Sequence, residues 1–378
     1  MGKYFTVERV KNRSIDYILL SIVILLLGTG LAALFSASYF YSGVLYEDAL
    51  YIFKKQLILT GVGIISIIFL SRLTKEGLKK LIPLFLVSSF VLSLLTFVPG
   101  IGAEILGARR WIRLFGFSFQ PSELVKFSII LYLAHILSKK QERIDDLVNT
   151  ILPPVLIVGV FTFLIYAQND FSTAMFVLVI SLAMFFIANV RVLYFVLLGT
   201  ITIPLGLILL FTKEHRVQRL IAFLNPQTDP IGAGYQILAA ERALLHGGLW
   251  GEGLGLGTRK LGGLPEAHSD FIFAVVGEEM GFIGVLFIIS LFFAFAVRGY
   301  MVALRSENNF TYFLAFGITT SIFFQALFNM AVVGGIVPAT GIPLPFFSSG
   351  GSSILLSLCM VGVLLNLSRS NEKEENYV

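Results

Sequence analysis

Charged residues are scarce in this sequence of 378 amino acids. Asp, Glu, Lys and Arg make up 13% of it, and 56% of the residues are hydrophobic, whereas soluble domains carry about 25% charged residues. Because the deficit runs through the whole length, it excludes a soluble domain with one membrane anchor. It indicates an integral membrane protein.

Cysteine and cofactor motifs are also sparse. The single cysteine, Cys359, excludes a disulfide within the chain. His215, His246 and His268 are too scattered to argue for a zinc site. The stretch GEGLGLG at 251–257 lacks the Gly-Lys-Ser/Thr ending of a phosphate-binding loop, and close backbone packing on the membrane surface is the better interpretation. We therefore expect no nucleotide cofactor and no nucleic-acid partner.

Long apolar runs, in contrast, are abundant. A helix needs about 20 apolar residues to cross the hydrocarbon core, and the eighth run is long enough to begin outside the bilayer. The sequence predicts an all-α polytopic membrane protein, a single domain over residues 1–378, with ten transmembrane helices. They lie at roughly 16–38, 54–71, 80–99, 121–138, 150–167, 171–189, 192–212, 270–297, 311–337 and 346–368.

The basic residues predict the orientation. Lys and Arg are dense in short loops on one side, as in the stretches 72–80 and 139–143, and such loops stay in the cytoplasm. Both termini are therefore predicted to be cytoplasmic. The largest loop, about 213–269 between the seventh and eighth helices, is predicted to be extracytoplasmic.

A second outer segment, 99–121, holds Arg109, Arg110 and Arg113 around Trp111. It is too polar to span the membrane. One interpretation is a membrane-surface helix that holds anionic headgroups. The other is a site for an anionic lipid substrate, because arginine grips phosphate oxygens in pairs.

Ionisable residues within spans are few, and each costs at least ~2.5–3.5 kcal/mol at a helix centre. Glu123 and Lys126 share one helix face, either as a neutralising structural pair or as a functional one. Asp170 begins the sixth span, where capping the helix is one interpretation. Glu278 and Glu279 are expected to face the bundle interior or basic partners.

Asp270 stands where the outer loop meets the eighth span, in LPEAHSDFIFAVVGEEMG. It either caps that helix or acts as a general base whose pKa rises toward neutrality in a partly apolar site. The residues alone leave both interpretations open.

Three long stretches resemble, in order, the signatures of a known family. GARRWIRLFGFSFQPSELVKF, LPEAHSDFIFAVVGEEMGFIG and TGIPLPFFSSGGSS look like those of the shape, elongation, division and sporulation proteins, the FtsW/RodA/SpoVE family. The resemblance covers nearly the whole chain, and its details look most like the division type, FtsW. The chain departs from the family pattern at two places. It has NDFS where the family has a Pro-Asp-Leu-Gly stretch, and it has Ser349 where the family usually has a tyrosine.

The resemblance implies an inverting peptidoglycan glycosyltransferase that polymerises lipid II at the outer face of the bacterial inner membrane, for cell division or elongation. Asp270 is then the catalytic carboxylate. A divalent cation, Mg or Mn, is a candidate cofactor. The residues expected to contact or hold the substrate are Glu123, Lys126, Asp170, Arg109, Arg110, Arg216, Arg219, His268 and Ser269.

The implied partners are lipid II, the nascent glycan, a class B penicillin-binding protein with transpeptidase activity, and other membrane proteins of the divisome or elongasome. Two other function classes stay open. The chain could be a lipid II flippase that uses Glu123, Lys126 and Asp170 as a polar path, or a non-catalytic scaffold for a transpeptidase.

Overall fold

The lengths of the hydrophobic segments determine most of the fold. The computed structural model describes residues 15–105, 107–114, 117–229 and 232–369, so the termini predicted to be cytoplasmic, 1–14 and 370–378, lie outside the described residues. The helices are α1 (Tyr17–Tyr46), α2 (Tyr51–Leu70), α3 (Lys75–Leu95), α4 (Pro121–Lys139), α5 (Leu152–Ala167), α6 (Phe171–Ile187), α7 (Val192–Phe211), α8 (Glu214–Leu224), α9 (Ala233–Gly247), α10 (Ile272–Leu304), α11 (Asn309–Val333) and α12 (Gly351–Ser368).

The ten predicted spans coincide with ten of these helices. In the described part of the chain, nine helical segments are long and apolar enough to cross a membrane, and α6, with 17 residues, is shorter. The span of α5 includes the preceding π-helical turn, Leu147–Ile151. The prediction of a polytopic helical membrane protein is confirmed.

The helices differ sharply in their surroundings. Most residues of α4, α11 and α12 are buried and form the centre of the bundle, whereas α7 has no buried residue. Since α7 is apolar on every side, its surface suits lipid. The central helices therefore supply the rigid frame on which the outer loops are placed.

The outer segment 99–121 is a small antiparallel sheet, so the membrane-surface helix is wrong. Its strands are β1 (Gly102–Ile105), β2 (Ala108–Leu114) and β3 (Phe117–Phe119), in the order β1-β2-β3. Neighbouring residues of a strand point to opposite faces, so ARRWIRL divides its arginines between two faces. The sheet adds a small β element to the predicted helical architecture.

The outer loop 213–269 contains two helices. The amphipathic stretch YQILAAERALL lies within α9, and α8 precedes it. After α9 the chain continues through turns and irregular backbone to Phe271, the residue before α10. This irregular part carries the residues that define the site.

A kink at Gly281 divides α10. Gly281 has φ 65° and ψ −166°, a conformation that is almost restricted to glycine. The glycine-rich loop completes the interrupted helical bonds: the amides of Glu252 and Gly253 donate to the carbonyls of Glu278 and Glu279, at 3.0 Å each. A Cβ on Gly251 would lie 2.2 Å from the Glu279 carbonyl oxygen. The loop packs closely, backbone to backbone, against α10, and its expected place on the membrane surface stays a prediction.

Candidate active site

A cavity of about 490 Å³ lies where the outer ends of several helices meet the outer loops. It is bordered by β2, the starts of α4, α6 and α12, α8, the loop before α10 and the loop between α11 and α12. Seven of the ten predicted site residues line it, namely Arg110, Asp170, Arg216, Arg219, His268, Ser269 and Asp270. Segments far apart in sequence thus converge on one site.

Asp270 lies in the loop just before α10. The residue at the N-cap position is Phe271, with no side-chain capping bond, so the capping interpretation of Asp270 is wrong. Its backbone carbonyl accepts a hydrogen bond from Asn329 Nδ2 at 2.8 Å. No hydrogen bond from a described residue reaches its carboxylate, which is available to a ligand in the cavity.

The surroundings of Asp270 tune its acidity. Protein encloses the residue except where it meets the cavity. That burial, with the charge of Glu266 and a smaller effect of Asp170, raises the pKa of Asp270 to about 6, against the lowering effect of Arg110 and Arg219. A carboxyl with a pKa near the working pH is suited to take a proton as a general base.

The backbone of the Asp270 segment is fixed by the loop that precedes α12. Ser349 N donates to the His268 carbonyl at 2.9 Å, and Ser348 Oγ donates to the Ser269 carbonyl at 2.6 Å. Together with Asn329, these bonds hold three consecutive carbonyls. Asn329 and Ser348 were not among the predicted site residues, although an amide inside an apolar span such as ALFNMAVV is itself a signal of function or buried contact.

The side chains of His268 and Ser269 are also positioned. The His268 ring stacks on Tyr41 with centroids 4.4 Å apart, and Ser269 Oγ donates to Glu266 Oε2 at 2.7 Å. Burial lowers the pKa of His268, opposed by Glu266, which favours the neutral imidazole. His268 can therefore donate or accept a hydrogen bond at the cavity wall.

Asp170 lines the cavity, and its carboxylate has three partners. Its carboxylate caps α6 by accepting from Thr173 N at 3.3 Å, which confirms the capping interpretation. The same carboxylate accepts from Gln120 Nε2 at 3.0 Å and lies 3.4 Å from Arg110 Nη1. Asp170 is thus already bonded, and its clearest effect is to orient Arg110.

Two of the arginines that line the cavity have buried N–H groups without a hydrogen-bond partner among the described residues. Arg110 is partly buried, and its Nε is one such atom. The Arg216 side chain is buried against Tyr166 and Phe171, with its guanidinium carbon 4.8 and 5.1 Å from the ring centroids. Arg216 Nη1 donates to the Leu209 carbonyl at 2.8 Å, whereas Nε and Nη2 have no partner.

These free donors point to an anionic ligand. A buried donor without an acceptor costs about 1–3 kcal/mol, and more when it is charged. Arg219 adds a third positive charge to the same cavity. A phosphate or diphosphate would supply the missing acceptors.

Arg109 is not part of this cavity, contrary to the prediction. Arg109 directly precedes Arg110 on β2, so its side chain points to the other face of the sheet. Arg109 Nε bonds Glu104 Oε2 at 2.8 Å, and both side chains are more than half exposed. An exposed pair of this kind contributes little to stability.

Glu123 and Lys126 do not line the cavity either. They form a buried ion pair 2.8 Å apart. Lys126 Nζ also donates to Gln325 Oε1 at 2.7 Å, and Gln325 Nε2 donates to the carbonyl of Pro343 at 2.9 Å. Pro343 lines the cavity, so the pair supports the cavity wall from behind through Gln325.

The predicted metal ion has no evident protein cage. Within the described ranges, no group of three or more His, Cys, Asp or Glu residues is arranged to hold a metal ion. The described residues therefore supply no such cluster to hold a metal ion on their own.

The chain resembles known proteins along almost its whole length. The FTSW_RODA_SPOVE family model, described as a cell cycle protein, matches residues 17–373. A relative in Geobacter sp. (strain M18), named probable peptidoglycan glycosyltransferase FtsW, is 44% identical over 354 residues, which cover 93% of this chain and 96% of the relative. Stage V sporulation protein E of Bacillus subtilis is 38% identical over 359 residues, which cover 95% and 98% of the two chains.

A solved structure shares the fold. It is a chain from a study of structural coordination of polymerization and crosslinking by a peptidoglycan synthase complex. The two chains superpose with a TM-score of 0.77 at 26% identity, over 96% of this chain and 99% of the other.

Proposed function

We propose a function from this premise: the chain belongs to the FtsW/RodA/SpoVE family and is a multi-pass protein of the bacterial inner membrane. It acts as a peptidoglycan glycosyltransferase that polymerises lipid II into glycan strands at the outer membrane face. The observation that carries this proposal is the unbonded carboxylate of Asp270 in the same cavity as the free guanidinium donors of Arg110 and Arg216.

Asp270 supplies the general base. The 4-hydroxyl of one lipid II attacks the anomeric carbon of the growing glycan, and Asp270 takes the hydroxyl proton as the new C–O bond forms. The bond from the anomeric carbon to the diphosphate breaks at the same time, and the diphosphate leaves on its undecaprenyl chain. One displacement inverts the anomeric centre. No nucleotide is needed, because the donor sugar already carries its leaving group.

The arginines stabilise the leaving group. Negative charge accumulates on the diphosphate in the transition state, and preorganised donors aimed at such charge give the largest catalytic contributions. Arg216 is held by aromatic rings. Arg110 is held by the carboxylate of Asp170, which also accepts a hydrogen bond from Gln120, and Arg219 lies in the same cavity. A divalent cation, Mg or Mn, is proposed to arrive with the diphosphate, since Mg²⁺ commonly binds substrate phosphates with few carboxylates.

The remaining predicted residues are proposed to position the reaction. His268 and Ser269 lie at the wall next to Asp270, where they can hydrogen-bond sugar hydroxyls. Glu123 and Lys126 act as positioning residues, because they reach the cavity only through Gln325 and Pro343.

The biological setting is proposed from the relatives. Identity is 44% to a protein named for FtsW and 38% to a sporulation protein, which favours cell division over sporulation. The peptidoglycan synthase complex of similar fold supports a class B penicillin-binding protein as partner. We also propose that the chain forms a single domain and that both of its termini lie in the cytoplasm.

Purified protein and labelled lipid II test this function. We expect glycan strands on a gel, made with or stimulated by a class B penicillin-binding protein. A flippase would move labelled lipid II across a vesicle membrane without making glycan, and a scaffold would do neither. Either of those results with a folded protein contradicts the proposal.

A further inference from the structure

Four large apolar side chains lie bare on the outer loop that follows α9. Leu249, Trp250, Leu254 and Leu256 are 65%, 80%, 70% and 69% exposed. Isolated exposed apolar residues are ordinary, but a dense group in one short segment marks an interaction surface. We call residues 249–256 the apolar loop.

Backbone hydrogen bonds fix the position of the apolar loop along α10. Phe282 N donates to the Gly248 carbonyl at 2.9 Å and Ile283 N to the Leu249 carbonyl at 3.3 Å. At Gly281 itself a Cβ would lie 2.4 Å from the Gly251 nitrogen. The loop is therefore seated directly on the kink of α10.

A second contact fixes the position of the region around the kink along α1. Lys260 Nζ lies 2.5 Å from Glu279 Oε1, and Ser36 Oγ lies 2.6 Å from each of these two atoms. All three side chains are largely shielded by protein, and Lys260 and Glu279 are buried. The region around the kink therefore lies level with Ser36 of α1.

An ion pair at the other end of α1 and α10 supplies a common inner landmark. Arg298 Nη2 lies 2.8 Å from Asp16 Oδ2. From Asp16, Ser36 is 20 residues away, or about 30 Å at 1.5 Å per residue. From Arg298, Gly281 is 17 residues away, or about 26 Å.

Along both helices, the distance from the inner ion pair to the level of the kink is therefore nearly the thickness of the hydrocarbon core, which is about 30 Å. The apolar loop lies at the outer boundary of the membrane core, not far above it. Just past the kink, α10 presents Phe282 and Leu286, which are 57% and 54% exposed, toward the same surroundings. The bare loop is continuous with the lipid-facing belt of α10.

We propose that the apolar loop inserts into the outer leaflet, with Trp250 at headgroup level and the leucines among the acyl chains. Segments of this kind bury their apolar face about 5–10 Å into the headgroup and acyl boundary, and tryptophan is enriched at that depth. The loop anchors the irregular chain between α9 and Asp270 to the membrane, and so sets the height of the reaction centre above the lipid.

Tryptophan fluorescence tests the insertion, because Trp111 and Trp250 are the two tryptophans of the sequence. Trp111→Phe leaves Trp250 as reporter, and Trp250→Phe leaves Trp111 as the matched control. The full-length variants are placed in vesicles of phosphatidylcholine brominated near the headgroup end of its acyl chains. Trp250 should lose most of its emission relative to unbrominated lipid and resist iodide in the water, whereas Trp111 should lose much less to bromine.

Emission of Trp250 that is quenched by iodide and unchanged by brominated lipid would overturn the insertion. So would protection from iodide that arises only when a class B penicillin-binding protein is added, which would assign the loop to a protein partner.

A spin label gives a second measurement that does not depend on the tryptophan variants. In Cys359→Ser, a nitroxide at Leu254→Cys should collide more often with oxygen than with a water-soluble nickel complex. Glu252→Cys is the control on the same loop, because Glu252 extends toward His246, at 3.9 Å, and not toward lipid. Equal accessibility of both labels to nickel would contradict the proposal.

Discussion

Hydrogen bonding separates the three acidic side chains of the cavity into different roles. Asp170 is bonded to Thr173 and Gln120, and Glu266 accepts from Ser269. Asp270 receives no side-chain bond from the described residues and lies in surroundings that raise its pKa to about 6. A saturated carboxylate orients its neighbours, whereas an unbonded one with a raised pKa can accept a proton.

The pH dependence of polymerisation follows from this carboxyl. The base must be ionised to act, so activity should fall about tenfold per pH unit below the pKa and level off above it. The inflection in kcat/KM should lie near pH 6, the pKa of Asp270. Arg110→Gln should move the inflection upward, because Arg110 lowers this pKa. A rate that does not change on either side of pH 6 would contradict the assignment.

Arginines inside the cavity and outside it should differ in their contribution to lipid II binding. Arg110→Lys and Arg216→Lys keep the charge but lose the planar donor fork, and should weaken lipid II binding by roughly tenfold or more, since a hydrogen bond to a charged group contributes about 1.5–3 kcal/mol. Arg109→Lys is the matched control and should bind normally, because Arg109 pairs with Glu104 outside the cavity. Equal affinity of all variants would remove these arginines from the diphosphate site.

Among the secondary-structure elements, the membrane-spanning helices could be predicted and the strands could not. A run of about 20 apolar residues has few alternatives to a spanning helix. In the stretch that forms β2, ARRWIRL, the alternation covers only seven residues, and a short run of this kind does not distinguish a strand from a surface helix. The kink at Gly281 was hidden for another reason: its partner, the loop at 248–253, is distant in sequence.

That kink makes a prediction about stability. Gly281→Ala places a Cβ in a backbone region that costs about 1–3 kcal/mol for residues other than glycine and against the Gly251 nitrogen. It should lower the melting temperature of the detergent-solubilised protein. Gly159→Ala in α5 is the control, because its Cβ would meet nothing within 4 Å, and alanine favours helix over glycine by about 0.5–1 kcal/mol. Equal melting temperatures for the two variants would contradict the packing described.

The buried pair of α4 makes a second prediction at this scale. Exchanging the two residues, in the double variant Glu123→Lys with Lys126→Glu, preserves the net charge but directs a carboxylate at Gln325 Oε1, which now accepts from Lys126. The amide would have to turn and lose its bond to Pro343. We expect a folded protein with strongly reduced polymerisation. Full activity after the exchange would show that the pair only neutralises itself.

The cavity is a property of the whole molecule. Its base comes from the loop before α10, its arginines from β2 and α8, and its backbone clamps from α11 and the loop before α12. The sequence pointed to Asp270 because a carboxylate at the end of an apolar run is conspicuous. It did not reveal Asn329 or Ser348, because their roles depend on contacts with residues 59 and 79 positions away.

The central claim is that Asp270 removes a proton as lipid II is polymerised, and the rate of Asp270→Asn tests it most directly. The purified variant is compared with the unaltered protein, in the same membrane and with the same class B penicillin-binding protein. Asparagine keeps the shape of the side chain and removes the base, so normal insertion and lipid II binding are expected, with polymerisation about 10²–10⁴-fold slower. A variant that binds lipid II and retains more than about a tenth of the rate would contradict the claim.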